Sequence, residues 1–97
     1  MKHVAIIGYG AIASHVIRAI SSSSAIRLGG VIGRAERLAA AREAVGQDVA
    51  VVEGIDGLAA RPDLVLDCAG HPGLIAHGAD ILERGIDLVS VSAGALA

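Results

Sequence analysis

A short apolar run followed at once by Gly8-x-Gly10-x-x-Ala13 constrains the fold of this 97-residue chain more than any other feature. The run Val4–Ile7 predicts a buried strand, and the residues after the glycines predict an amphipathic helix. A tight strand-to-helix turn needs Gly8, a backbone that approaches a pyrophosphate needs Gly10, and Ala13 lets the helix lie close to the strand. We therefore predict a dinucleotide-binding turn with the phosphates at the helix N-terminus. An ordinary glycine-rich turn is the alternative.

Strand and helix signals alternate along the rest of the sequence. Strands are predicted at Val4–Ile7, Ile26–Ile32, Val49–Val52, Leu64–Asp67 and Asp87–Val91. The first helix follows the glycine turn, with Ile12, Val16, Ala19 and Ile20 expected to face the sheet. Later helices are predicted at Arg34–Val45 and Pro72–Arg84, with a single helical turn at Gly57–Ala60. This alternation predicts an α/β fold, a Rossmann-type doubly wound parallel sheet of about five strands in the order 3-2-1-4-5. Residues 1–97 then form one dinucleotide-binding domain.

The end of the second predicted strand bears on the choice of cofactor. An NAD-selective site usually places Asp or Glu there to bind the ribose diol, whereas this chain has Gly33-Arg34. An arginine suits a 2′-phosphate through its charge and its paired hydrogen bonds. Glu36 follows two residues later, within reach of a ribose hydroxyl. We expect NADP to be accepted without excluding NAD, and a solvated Arg34 is the alternative.

Other reactive side chains give weaker signals. Cys68 and His71 are too few for a metal site, and Cys68 is expected to be a small buried hydrophobe. His71 precedes Pro72, where it either caps the next helix or faces the ligand crevice expected at the carboxyl ends of the strands. The remaining histidines are expected on the surface or on helix faces: His3, His15 and His77. No Gly-x-Ser-x-Gly surrounds Ser90 and Ser92, and no carboxylates pair by spacing. We predict no metal site.

Composition argues against several classes of partner. The formal net charge is −2 and Tyr9 is the sole aromatic residue, which disfavours nucleic-acid binding. No apolar run approaches the roughly 20 residues needed to cross a membrane. The single cysteine fits a reducing cytoplasm, and Met1-Lys2 leads directly into a strand, so no signal peptide is expected.

Three segments together carry a family resemblance. Gly8-Tyr-Gly-Ala-Ile-Ala13, Asp67-Cys-Ala-Gly-His71 and Val89-Ser-Val-Ser-Ala-Gly-Ala-Leu96 resemble the amino-terminal, dinucleotide-binding part of L-aspartate dehydrogenases. The last segment departs from the family pattern by an apparent extra residue. The resemblance implies oxidative deamination of L-aspartate to iminosuccinate, which hydrolyses to oxaloacetate and ammonia or enters NAD biosynthesis. We also expect a homo-oligomer, because the face that a second domain normally covers would stay exposed.

The resemblance implies roles for particular residues. Gly8, Gly10, Ala11 and Ile12 would hold the pyrophosphate, and Arg34 would read the adenosine ribose. Ala69, Gly70 and His71 would border the nicotinamide ribose, with Ser92, Ala93 and Gly94 near the nicotinamide. Family members hold the substrate and a catalytic histidine in a second domain, which we expect to be absent from this chain. No residue of the chain is therefore assigned as catalytic.

Two further functions stay open at this point. One is a non-catalytic dinucleotide-binding module that senses redox state. The other is a different two-domain NAD(P) reductase, such as homoserine dehydrogenase or dihydrodipicolinate reductase.

Overall fold

A computed structural model describes residues 2–46, 48–58 and 60–90. Five strands form one sheet, all parallel, in the order β3-β2-β1-β4-β5. In chain order the elements are β1 (Lys2–Ile7), α1 (Ala11–Ser21), β2 (Ile26–Ile32), α2 (Ala35–Ala44), β3 (Ala50–Val52), a 3-10 turn (Ile55–Gly57), β4 (Leu64–Asp67), α3 (His71–Glu83) and β5 (Asp87–Ser90). The predicted fold class and strand order are confirmed.

Both faces of the central strand are covered by helices. Val4 and Ile6 of β1 pack with Ala13 and Ile20 of α1 on one face. Their neighbours along β1 point to the opposite face, since side chains alternate along a strand. That face holds a larger cluster with the side chain of Ile81 from α3 and the following members: Ala5, Ile7, Ile32, Ile55, Val65 and Ile86. Burial on both faces explains why residues 4–7 of β1 are continuously apolar.

The buried face of α1 differs from the predicted one at Ala19, which is exposed. Ala13 and Ile20 are buried, and Val16 and Ile17 pack partly against the same cluster. At about 100° per residue, Ala13 fixes a face that passes through positions 16, 17 and 20 and leaves position 19 well outside it. The prediction for Ala19 was wrong because it took Ile12 as the start of the stripe.

Where the observed element boundaries differ from the predicted ones, they do so by one or two residues, except for one short element. The single helical turn lies at Ile55–Gly57 rather than at Gly57–Ala60. Ile55 is buried in the core, and the Gly57 amide donates to the Gly54 carbonyl oxygen over 3.0 Å. An apolar anchor at the start of the turn thus decides its position. Val91, the last residue of the predicted fifth strand, lies outside the described residues.

Candidate functional site

The carboxyl ends of β1, β2 and β4 meet at one edge of the sheet, where they border a cavity of about 450 Å³. Backbone hydrogen bonds hold these ends together. The Gly8 amide donates to the Ile32 carbonyl oxygen over 2.6 Å, and the Cys68 amide donates to the Ile7 carbonyl oxygen over 2.9 Å. The strand order reverses on either side of β1 here, which is where doubly wound sheets bind ligands.

Gly8 is required by the fold itself. Its φ is +94°, and a Cβ built on it would lie 2.8 Å from the Ala69 Cβ. The first condition favours glycine, and the second leaves no room for any side chain between the ends of β1 and β4. Gly8 therefore sets the close approach of these two strand ends.

Gly10 has no such requirement from the protein. Its φ of −155° is extended backbone, and a Cβ built on it would meet nothing within 4 Å. It stands before α1, whose first helical bond runs from the Ser14 amide to the Gly10 carbonyl oxygen over 2.9 Å. The amides of the first α1 turn have no acceptor within the helix, and that turn carries no acidic residue. Open space beside these donors suits an anionic ligand such as a dinucleotide diphosphate.

One end of the cavity is charged. Arg34 precedes α2 as its N-cap and makes no side-chain capping bond, and Arg37 lies one helical turn later. Glu53 follows β3 and lines the same cavity, whereas Glu36 does not. Arg34 was predicted from the sequence, but Arg37 and Glu53 were missed. The i, i+3 spacing of the two arginines was a usable signal for Arg37.

The other end is formed by β4 and α3. Cys68 and Ala69 line it from the strand end, and Ala76 and His77 line it from the helix. His77 was expected on the surface or a helix face, and its place in the crevice was missed. His71 is the first residue of α3, and its side chain lies outside what the structure describes. Gly70 is the N-cap of this helix with a φ of +79°.

Asp67 organises the end of β4. It is fully buried, its Oδ1 accepts from the Ala69 amide over 3.0 Å, and its Oδ2 accepts from the Ser90 hydroxyl over 3.3 Å. The carboxylate thereby ties the β4 turn to β5. In the sequence, Asp67 stood out only as part of a family segment.

Cys68 is half-buried and packs beside the β1–α1 cluster rather than wholly inside it. Burial, with a smaller contribution from the Asp67 charge, raises the pKa of the Cys68 thiol from 9.0 to about 11. The thiol is therefore protonated at neutral pH and is a poor nucleophile.

Not all predicted cofactor residues meet in the cavity. Gly8, Gly10, Arg34 and Ala69 line it. Ala11 and Ile12 form the first turn of α1 without lining it. Three others fall outside the described residues: Ser92, Ala93 and Gly94.

Metal-binding clusters and membrane-spanning helices are both absent from the described residues. Across residues 2–46, 48–58 and 60–90, no group of three or more His, Cys, Asp or Glu side chains is placed to hold a metal ion. Among the helices in those same ranges, none has the length and apolar character to span a membrane.

Comparisons with known proteins agree with this geometry. Residues 8–97 match the family model described as homoserine dehydrogenase, NAD binding domain. L-aspartate dehydrogenase of Ruegeria pomeroyi is 47% identical over 94 residues, which cover 97% of this chain and 33% of that protein. The enzymes of Serratia proteamaculans and Ralstonia nicotianae, with the same name, are 35% and 36% identical over 100% and 99% of this chain, and 36% and 37% of their own lengths. The chain thus spans about a third of the length of these curated relatives.

Proposed function

The chain belongs to the homoserine dehydrogenase NAD-binding domain family, and from that premise we propose that it is the dinucleotide-binding domain of an L-aspartate dehydrogenase. The family supports NAD or NADP as the cofactor. The family model carries the name of one alternative, homoserine dehydrogenase. The curated relatives that match nearly the whole chain are instead named L-aspartate dehydrogenase, which favours aspartate as the substrate.

The observation that carries the proposal is the open space at Gly10 beside the first turn of α1. Gly10 needs no special backbone conformation and meets no neighbour, so its lack of a side chain is best explained by a ligand. In our proposal the amides of Ala11 and Ile12 donate to the diphosphate, although their side chains do not line the cavity. The diphosphate would then lie between the charged end of the cavity and its β4–α3 end.

The bound cofactor supplies the hydride acceptor for oxidation of the aspartate α-carbon. The chain's own residues bind and orient the dinucleotide. Arg34 holds the adenosine ribose end, and Ala69, Gly70 and His71 border the nicotinamide ribose. Ser92, Ala93 and Gly94, outside the described residues, are assigned to the nicotinamide by the family resemblance alone. No residue of this chain is assigned to acid–base catalysis, which we place in a second domain.

Two finer proposals concern the whole enzyme. We propose that the enzyme works in a reducing cytoplasm, which the single cysteine of these 97 residues supports. Three exposed apolar side chains are consistent with a homo-oligomer: Ile75 and Leu82 on α3, and Val89 on β5. Sedimentation equilibrium of the whole enzyme tests the homo-oligomer, and a monomer at all concentrations would contradict it.

A chimera tests whether this domain can serve an L-aspartate dehydrogenase. In this protein the 97 residues replace the matching segment of the Ruegeria pomeroyi enzyme, to which they are 47% identical. We expect aspartate-dependent formation of reduced nicotinamide, with the unaltered enzyme as the positive control. A folded chimera that binds NAD(P) but fails to oxidise aspartate would contradict the assignment of this domain to an L-aspartate dehydrogenase. Failure of the 97-residue chain to bind either dinucleotide would contradict the cofactor-binding role.

A further inference from the structure

The charged end of the cavity contains two cations and one anion at neighbouring backbone positions. Val52 of β3 pairs with Ile32 of β2, so Glu53 lies beside Gly33, the residue before Arg34. The Gly33 amide donates to the Val52 carbonyl oxygen over 2.9 Å, which fixes the two strand ends side by side. Arg37 enters the same cavity from the first turn of α2.

None of these three charges is taken up by a protein partner in the part of the chain that the structure describes. The ion pairs within 4.0 Å there join Arg27 to Asp48 and Arg84 to Asp80, both away from this cavity. All three cavity side chains belong to exposed residues. Their hydrogen-bonding capacity therefore remains available to a ligand.

The adenosine riboses of NAD and NADP make opposite demands on such groups. A 2′-hydroxyl donates a hydrogen bond, which a carboxylate accepts. A 2′-phosphate is an acceptor with about two negative charges, so it is attracted by guanidinium groups and repelled by a carboxylate. An acid that reads the ribose diol commonly ends the second strand, and here the corresponding acid would come from the third.

We propose that Glu53 and Arg37 together set the balance between NAD and NADP in this cavity. Glu53 accepts a hydrogen bond from the ribose hydroxyls of NAD, and Arg37 pairs with the 2′-phosphate of NADP. This inference rests on the proposed dinucleotide-binding function. It accounts for the presence of both Arg34, which follows β2, and the carboxylate of Glu53, which follows β3, at the same end of the cavity.

Titration calorimetry of the 97-residue chain with each dinucleotide tests the inference. Glu53→Gln should tighten NADP roughly threefold to tenfold, because the repulsion between the carboxylate and the 2′-phosphate is removed. It should weaken NAD by a similar factor, because an amide oxygen accepts a hydrogen bond from the ribose hydroxyls less strongly than a carboxylate does. Arg37→Ala should weaken NADP roughly tenfold and change NAD by less than about twofold. Adenosine 2′-monophosphate stands for the 2′-phosphate of NADP, and adenosine 5′-monophosphate stands for the free ribose hydroxyls of NAD. Each variant should change the affinities for these two ligands in the same directions, which would place the effect at the adenosine end.

Matched controls remove the same charges elsewhere. Glu43→Gln and Arg18→Ala change residues of α2 and α1 that do not line the cavity, and both should leave the ratio of the two affinities unchanged. Glu53→Asp keeps the carboxylate and should retain the wild-type preference. Melting temperatures establish that each variant is folded.

The outcomes separate the two proposals. If the wild-type chain binds dinucleotide but Glu53→Gln and Arg37→Ala alter both affinities equally or not at all, the inference is overturned and the proposed function stands. The inference is likewise overturned if Glu36→Gln, rather than Glu53→Gln, shifts the preference. If the wild-type chain binds neither dinucleotide, both proposals fall.

Discussion

Gly8 and Gly10 stand two residues apart in one turn and lack side chains for different physical reasons. Space beside Gly8 is filled by Ala69, whereas space beside Gly10 is empty. We expect Gly10→Val to weaken NAD(P) binding more than roughly tenfold, since its branched side chain would occupy the position proposed for the diphosphate. Its cost to the free energy of unfolding should be about 1 kcal/mol or less, as for a changed N-cap. Titration calorimetry and urea denaturation measure the two effects.

Gly8→Ala is the matched comparison in the same turn. Its positive φ and the 2.8 Å approach of a Cβ to the Ala69 Cβ predict a loss of about 2–4 kcal/mol in the free energy of unfolding. If Gly10→Val left the affinity unchanged, the space at Gly10 would not be a binding site. If Gly8→Ala cost nothing, the contact between the β1 and β4 ends would not constrain the fold.

Cys68 should be a slow nucleophile. Its pKa, raised to about 11 by burial and then by Asp67, leaves little thiolate at pH 9, where half of an ordinary thiol is ionised. We expect alkylation by iodoacetamide at pH 9 to be slower than in the urea-unfolded chain by roughly tenfold or more. Because the folded pKa is the higher one, this group's contribution to stability should decline between pH 9 and about 11. Equal alkylation rates in both states would refute the shift.

Sequence patterns located the backbone of the site better than its long side chains. The glycine turn is encoded by the absence of side chains, so residue type alone reveals it. The positions of Arg37, Glu53 and His77 in the cavity depend on how strand ends and helix turns are brought together. Glu53 in particular enters the cavity through the pairing of β3 with β2, which its own neighbours in sequence do not specify.

At the scale of elements, the β2–α2 junction presents Arg34 to the cavity without capping the helix through its side chain. Arg34→Asp should weaken NADP much more than NAD, by roughly a further tenfold or more, because it replaces an attraction to the 2′-phosphate by a repulsion. Affinity measurements with both dinucleotides check the difference. Arg18→Asp makes the same charge reversal on α1, away from the cavity, and should leave both affinities nearly equal to the wild type.

Equal losses of NAD and NADP affinity in Arg34→Asp would show that Arg34 does not read the ribose.

The helices and strands were predicted with different accuracy. The predicted limits of β2 and β4 are confirmed. The buried side of α1 is set by the burial of Ala13, and the position of the turn after β3 is set by the burial of Ile55. Hydrophobic periodicity alone does not show which apolar residue of a segment is the buried one.

Across the whole molecule, the strand order follows from the alternation of strands with helices and from the right-handed crossovers between parallel strands. The order was therefore predictable from sequence. The cavity lies beside β1, where the direction of the strand order reverses. The residues at the two ends of the cavity were predictable from the sequence only in part. Its charged end contains Arg34, Arg37 and Glu53, and its opposite end contains Cys68 and His77. On our proposal, a dinucleotide binds in one direction, with its adenosine at the charged end.

That direction leads to the prediction that the 97-residue chain binds cofactor without oxidising aspartate. L-aspartate carries two carboxylates, and the arginines lining this cavity lie at the end assigned to the adenosine ribose. Hydride transfer needs the α-carbon and the nicotinamide ring within roughly 3–3.5 Å, a geometry that requires groups to clamp the substrate. The assay combines the purified chain, L-aspartate and each oxidised dinucleotide, and follows the absorbance of reduced nicotinamide beside the chimeric enzyme. We expect saturable binding and no aspartate-dependent signal. Sustained turnover would place an acid–base group within this chain, and His71→Gln and His77→Gln would then identify it.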